Sequence, residues 1–143
     1  QRAERGQPPR RGARGRALTP DLHEGVVRSG LGDCARWIER LADAYQGVVG
    51  VRLWPGSLNV ELPQPWSMPT HAVRFDTRPH GGSVTVFLAP CSVMGVHAYV
   101  LRTEANERGE GDHPRTIVEI VASLHLRSHL GLADGDRVRL RLP

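Results

Sequence analysis

Lysine is absent. All 19 basic side chains are arginine, so no mechanism here can rest on a P-loop lysine or a Schiff-base lysine. Cysteine is nearly absent. Cys34 and Cys91 are too few for a disulfide framework and lack the CxxC context of a zinc or redox motif, so both read as buried small side chains. No run approaches the roughly 20 apolar residues of a membrane-spanning helix. The N-terminal stretch has neither the apolar core of a secretory signal nor the serines of a transit peptide, and a cytoplasmic location is the expectation. There is no GxSxG, no HExxH, no pair of acids at diagnostic spacing and no 20–50-residue repeat.

What is present suits one domain. The chain has 143 residues, 39% of them apolar, enough for a genuine core. The formal charge of +4 is unevenly placed. Residues 1–16 hold six Arg and one Glu, a net of +5, and the remaining 127 residues are at −1. The tail has no Val, Ile, Leu or aromatic residue before Leu18, so residues 1–20 are expected to be disordered and residues 21–143 to form the folded domain. Such a tail serves either as a nucleic-acid-binding arm or, the favoured reading, as a solubilising extension.

Within the domain, Glu24–Arg28 predicts a strand and Ser29-Gly30-Leu31-Gly32 a turn. Ala35, Trp37, Ile38, Leu41, Ala42 and Tyr45 then recur at helical spacing, with Gly47 where a C-cap belongs. Alternation predicts strands at Leu58–Leu62, Val73–Phe75, Ser83–Leu88, His97–Leu101, Thr116–Ala122 and Arg137–Leu142. A short helix is expected in Leu124–Leu130 and a loop over Asn106–Arg115. Six or seven short strands with one amphipathic helix and one short helix indicate a mainly β fold, a small closed barrel with helices on its rim.

Four features bear on chemistry. Gly30-Leu31-Gly32-Asp33-Cys34-Ala35 fits the letters of a dinucleotide fingerprint, but no acid follows at the required distance and the chain is β-rich, which excludes a Rossmann unit. A glycine-rich turn opening a helix still exposes amides suited to phosphate. Ser57 and Asn59, two apart, point to one side of a strand and offer the hard oxygens Mg²⁺ prefers, although a polar strand face explains them equally. Glu119 interrupts an apolar strand and shares a face with Ile117 and Val121, so it points either to solvent or into a site. His125 and His129 stand four apart without a third ligand and read as surface residues.

Taken in order, SGLG after a strand, PGSLNVEL, Arg102-Thr103 after a strand, IVEIVASLHLR and LGLADGDRVRLRL strongly resemble the archaeal-type CTP-dependent riboflavin kinase family, from about Gly25 to Leu142. The resemblance implies a six-stranded cradle-loop barrel that transfers the γ-phosphoryl group of CTP to the 5′-hydroxyl of riboflavin, giving FMN and CDP. It further implies nucleotide binding by Gly30, Leu31, Gly32, Asp33, Cys34 and Ala35 together with Leu124, His125, Leu126 and Arg127. Mg²⁺ would lie on Ser57 and Asn59. Thr103 and Glu119 would contact the flavin, and Glu119 would act in catalysis. The implied partners are small-molecule substrates, with no membrane, and nucleic acid only through the tail. Three departures stand out: Cys34 or Ala35 replaces a further loop glycine, Ser57 replaces Thr, and the 103–119 segment is longer than usual. They leave open a related barrel that binds flavin or nucleotide without catalysis, or one that binds nucleic acid.

Overall fold

The computed structural model describes residues 21–30 and 32–143; the Arg-rich tail and Leu31 lie outside the described residues. Seven strands run through the described residues: β1 (Asp21–Arg28), β2 (Leu58–Glu61), β3 (Val73–Asp76), β4 (Thr85–Val93), β5 (Val96–Thr103), β6 (Ile117–Val121) and β7 (Arg137–Leu142). Among the described residues four short α-helices accompany them, α1 (Cys34–Arg40), α2 (Ala42–Val49), α3 (Glu104–Glu107) and α4 (Leu126–Leu130). All pairings are antiparallel, in the order β3-β4-β5-β6-β2-β1-β7. A further pairing of β4 with β7 closes six strands into a barrel and leaves β3 outside the ring.

β4 serves both neighbours by dividing its free edge. Thr85–Leu88 pair with β3, while Ser92 and Val93 pair with β7. Pro90 falls in the gap between these registers, where the missing N–H forfeits no ladder bond on that edge. This is why the strand continues past Ala89-Pro90, where the sequence pattern ends it.

Alternation along the strands fills two cores. Inward residues such as Val27, Leu58, Val60, Val100, Val118, Ile120 and Leu140 pack inside the barrel. The opposite faces of β4, β5 and β6 contribute Val86, Leu88, Leu101 and Val121 to a second cluster under α1 and α2, with Ile38, Leu41 and Tyr45. The predicted single helix is two segments meeting at Leu41, whose φ of −106° and ψ of 24° leave the helical region. The bonds from Leu41 N–H to Trp37 O and from Tyr45 N–H to Leu41 O, both 2.9 Å, carry the ladder across the bend. The C-cap is Gly50 rather than Gly47. Its φ of 85° is left-handed, and its N–H reaches Gln46 O. The expected 106–115 loop is also shortened, because α3 begins at Glu104 and runs to Glu107, with Thr103 as N-cap accepting from Asn106 N–H at 3.0 Å.

Candidate functional site

The register of β2 against β6 creates the site. Asn59 and Glu119 are direct partners across the antiparallel pair, so their side chains rise from the same face. That face is the outward one, next to the cluster under α1 and α2, and Glu119 therefore points into a cleft rather than to open solvent. Ser57, just before β2, donates its hydroxyl to Glu119 Oε2 at 2.8 Å. The structure thus brings together Ser57, Asn59 and Glu119, which stand 62 residues apart in sequence at their extremes.

The cleft measures about 290 Å³. Gly32, Asp33 and Cys34 form one side, Thr103, Asn106 and His113 another, with Glu119 also in its wall. Trp37, Tyr45 and Val86 supply an apolar surface. In the sequence Trp37 and Tyr45 signalled only one face of a helix, and Val86 only a strand. Their contribution to the cleft depends on how α1 and α2 lie across the barrel.

Cys34 is not the buried, inert thiol that composition suggests. It is half-buried and faces the cleft. Burial pushes its thiol above the ordinary range, and the charge of Glu119 beside it adds to the effect. Burial raises the Tyr45 hydroxyl in the same way, and the neighbouring Cys34 and Glu119 reinforce it. Both groups are therefore neutral near pH 7 and act as polar but uncharged walls. Cys91 lies in the barrel core as expected.

Asn59 is the most constrained member. It is 4% exposed, and its Oδ1 has no hydrogen-bond partner. An orphaned buried carbonyl oxygen is costly to keep unless it serves a ligand. Gly30 is needed for this placement, because a Cβ there would come within 2.9 Å of Asn59 Nδ2. The loop and the strand are thus pressed together at Gly30. The chemistry of the donor set fits a hard cation: Oδ1 of Asn59 is free, and Ser57 Oγ, having given its hydrogen to Glu119, keeps its lone pairs. No cluster of three His, Cys, Asp or Glu side chains occurs among the described residues.

The 124–127 segment is brought to the same loop. Arg127 Nη2 donates to the Arg28 carbonyl at 3.0 Å and to Asp134 Oδ1 at 2.6 Å. His125 stacks on Trp54 with ring centroids 5.5 Å apart and bonds Ser128 through Nδ1. His129 is exposed on α4 and takes no part. Two further residues went unassigned in the sequence. Asp134 lies in a turn that reads only as a β-turn. Arg102, 3% exposed, bonds Glu107 and the carbonyls of Trp66, Arg115 and Ile117, tying the 104–117 segment to the barrel. The sequence pattern ends the strand at Leu101, just before it, whereas β5 continues through Arg102 to Thr103.

Comparison with known proteins agrees with this architecture. A family model named for CTP-dependent riboflavin kinase, with the description "Domain of unknown function DUF120", matches residues 27–142. The riboflavin kinase of Aeropyrum pernix is 31% identical over 130 residues, covering 85% of this chain and 95% of that protein. The riboflavin kinase of Staphylothermus marinus is 28% identical over 119 residues, covering 82% and 88%. That of Thermococcus kodakarensis is 30% identical over 136 residues, covering 88% of this chain and 61% of the longer relative. With a closed six-stranded barrel, a match across nearly the entire described domain and relatives of this identity, the chain belongs to the CTP-dependent riboflavin kinase family.

Proposed function

We propose that this chain transfers the γ-phosphoryl group of CTP to the 5′-hydroxyl of riboflavin, releasing CDP and FMN. One observation carries the reading. Ser57, Asn59 and Glu119 converge where the Gly30–Ala35 loop meets a cleft walled by aromatic and apolar side chains.

The geometry supports a set of roles. Amides of Gly30, Leu31, Gly32, Asp33, Cys34 and Ala35 hold phosphate oxygens, and no side chain caps the start of α1 in competition with them. Leu124, His125, Leu126 and Arg127 complete the nucleotide site, Arg127 supplying the charge that lysine would otherwise bring. Mg²⁺ is held by Ser57 and Asn59, and when bound it neutralises charge on the phosphates. The isoalloxazine ring occupies the cleft against Trp37, Tyr45 and Val86, and Thr103 and Glu119 orient the ribityl chain. In the transfer the 5′-oxygen bonds to the γ-phosphorus. The bond from that phosphorus to the β–γ bridging oxygen breaks, and the bridging oxygen leaves with CDP. The hydroxyl proton passes to the Glu119 carboxylate. Such a reaction asks for alignment and charge neutralisation rather than covalent catalysis, and alignment alone lowers barriers by several kcal/mol.

The test is to incubate purified full-length chain with riboflavin, Mg²⁺ and either CTP or ATP and to follow FMN by chromatography. FMN formed with CTP is the expected result. Folded protein that yields no FMN with either nucleotide refutes the reading.

A further inference from the structure

The proposed nucleotide site is built from two segments distant in sequence, the loop after β1 and the segment entering α4. One carboxylate joins them. Asp134 Oδ1 accepts from Arg127 Nη2 at 2.6 Å, and Oδ2 accepts from the Ser29 hydroxyl. Ser29 immediately precedes the glycine loop, and Arg127 closes the second segment. The same guanidinium nitrogen bonds the Arg28 carbonyl at 3.0 Å, so loop and helix are stitched twice.

The carboxylate is held in a rigid frame. Its turn is pinned to β1 on both sides of Val27, with Gly135 N–H to Val27 O at 2.8 Å and Val27 N–H to Asp136 O at 2.9 Å. Within the turn, Ala133 N–H bonds Asp136 Oδ2 at 2.8 Å. The Ser29 hydroxyl and Arg127 guanidinium hold the Asp134 carboxyl below its usual range, so it is ionised at neutral pH.

We infer that Asp134 is a positioning residue for nucleotide binding, clamping Ser29 and Arg127 so that the glycine loop and the guanidinium face one phosphate chain together. This rests on the nucleotide-site assignment above. Asp134 itself touches no substrate. It acts by holding the Ser29 hydroxyl and a long guanidinium side chain in place before the ligand arrives, which lowers the entropy lost on binding.

The sign of its effect makes this decisive. Asp134→Asn removes a negative charge from beside an anionic ligand, so bare electrostatics predicts tighter nucleotide binding. It also releases Arg127 from a competing carboxylate, which again predicts tighter binding. Only the clamp predicts weaker binding.

The experiment is titration calorimetry of CDP, without Mg²⁺, into full-length wild type, Asp134→Asn and Asp43→Asn. The last removes the same charge from an exposed pair with Arg52 elsewhere on the surface. The expected result is about tenfold weaker CDP binding for Asp134→Asn, the lower end of what is lost when the partner orienting a metal ligand is removed. Asp43→Asn should bind as wild type, the melting temperature of Asp134→Asn should be unchanged, and its KM for riboflavin should match that of wild type wherever turnover is seen. Unchanged or tighter binding in Asp134→Asn overturns the clamp, as does equal weakening in Asp43→Asn. A wild type that binds CDP but makes no FMN refutes the kinase reading and leaves the clamp standing. A wild type that makes FMN with CDP affinity insensitive to Asp134 does the reverse, and a wild type that binds no CDP overturns the clamp.

Discussion

Replacing Asn59 by alanine should separate stability from function. Asn59 is 4% exposed and its Oδ1 is unpartnered. A buried acceptor left without a donor costs about 1–3 kcal/mol, and Asn59→Ala removes that cost. The same change deletes packing against Gly30 and opens a small cavity, a loss of comparable size for three heavy atoms. The terms oppose one another and leave a net change within about 2 kcal/mol of zero, or a melting-temperature shift of less than about 10 °C in a domain of this length. Turnover behaves differently. If the oxygen serves a cation, its loss should lower FMN formation at saturating CTP and Mg²⁺ by at least about a hundredfold, near 2.7 kcal/mol of transition-state stabilisation. The assays are a thermal melt by circular dichroism and FMN production on the same preparation. Turnover within threefold of wild type would refute the assignment. A melting point lowered by 15 °C or more would show that Oδ1 carries a structural bond, and the argument from its isolation would fail.

Three further outcomes are expected. Gly30→Ala places a Cβ 2.9 Å from Asn59 Nδ2 and should lower kcat/KM at least tenfold, well beyond the effect of Gly32→Ala, where nothing lies within 4 Å of the new Cβ. Equal effects on both would show that the loop rather than the Gly30–Asn59 contact matters. Burial pushes the Cys91 thiol from its ordinary 9.0 up to about 12 and also raises Cys34, so the fold favours both neutral forms. That stabilisation is complete below pH 9 and declines as pH rises from 9 toward the folded values, so denaturant midpoints should fall over this range, and a Cys91→Ala variant should show a shallower decline. An identical slope in the variant would contradict the assignment. Arg102→Met leaves Glu107 and three carbonyls without their partner and should cost about 3 kcal/mol, read as a lowered urea midpoint at unchanged slope. A loss below about 1 kcal/mol would mean that water replaces the guanidinium.

The β-rich order of elements, the short barrel strands and the segment from the glycine turn into a helix are all legible in the sequence. They rest on local alternation and turn chemistry, which act over a few residues. The bend at Leu41 and the continuation of β4 through Pro90 were not legible. Both depend on neighbours: Leu41 is buried against the outer face of β4, β5 and β6, and Pro90 falls where β4 pairs with neither β3 nor β7. Glu119 shows the same division. Its face-mates Ile117 and Val121 limit the possibilities, but solvent or site could be chosen only once α1 and α2 covered that face.

By itself, the sequence determined that no lysine takes part, that the domain is a mainly β barrel, and which short segments carry hydroxyl, amide and carboxylate groups. Periodicity and composition are properties of the chain alone. Only the tertiary structure decided that Ser57 bonds Glu119, that Asn59 lies opposite it with an empty acceptor, that Cys34 faces the cleft, and that Asp134 holds Ser29 to Arg127. Each of these joins residues dozens of positions apart. Strand register and barrel closure set such distances, and neither is written in any local stretch of sequence.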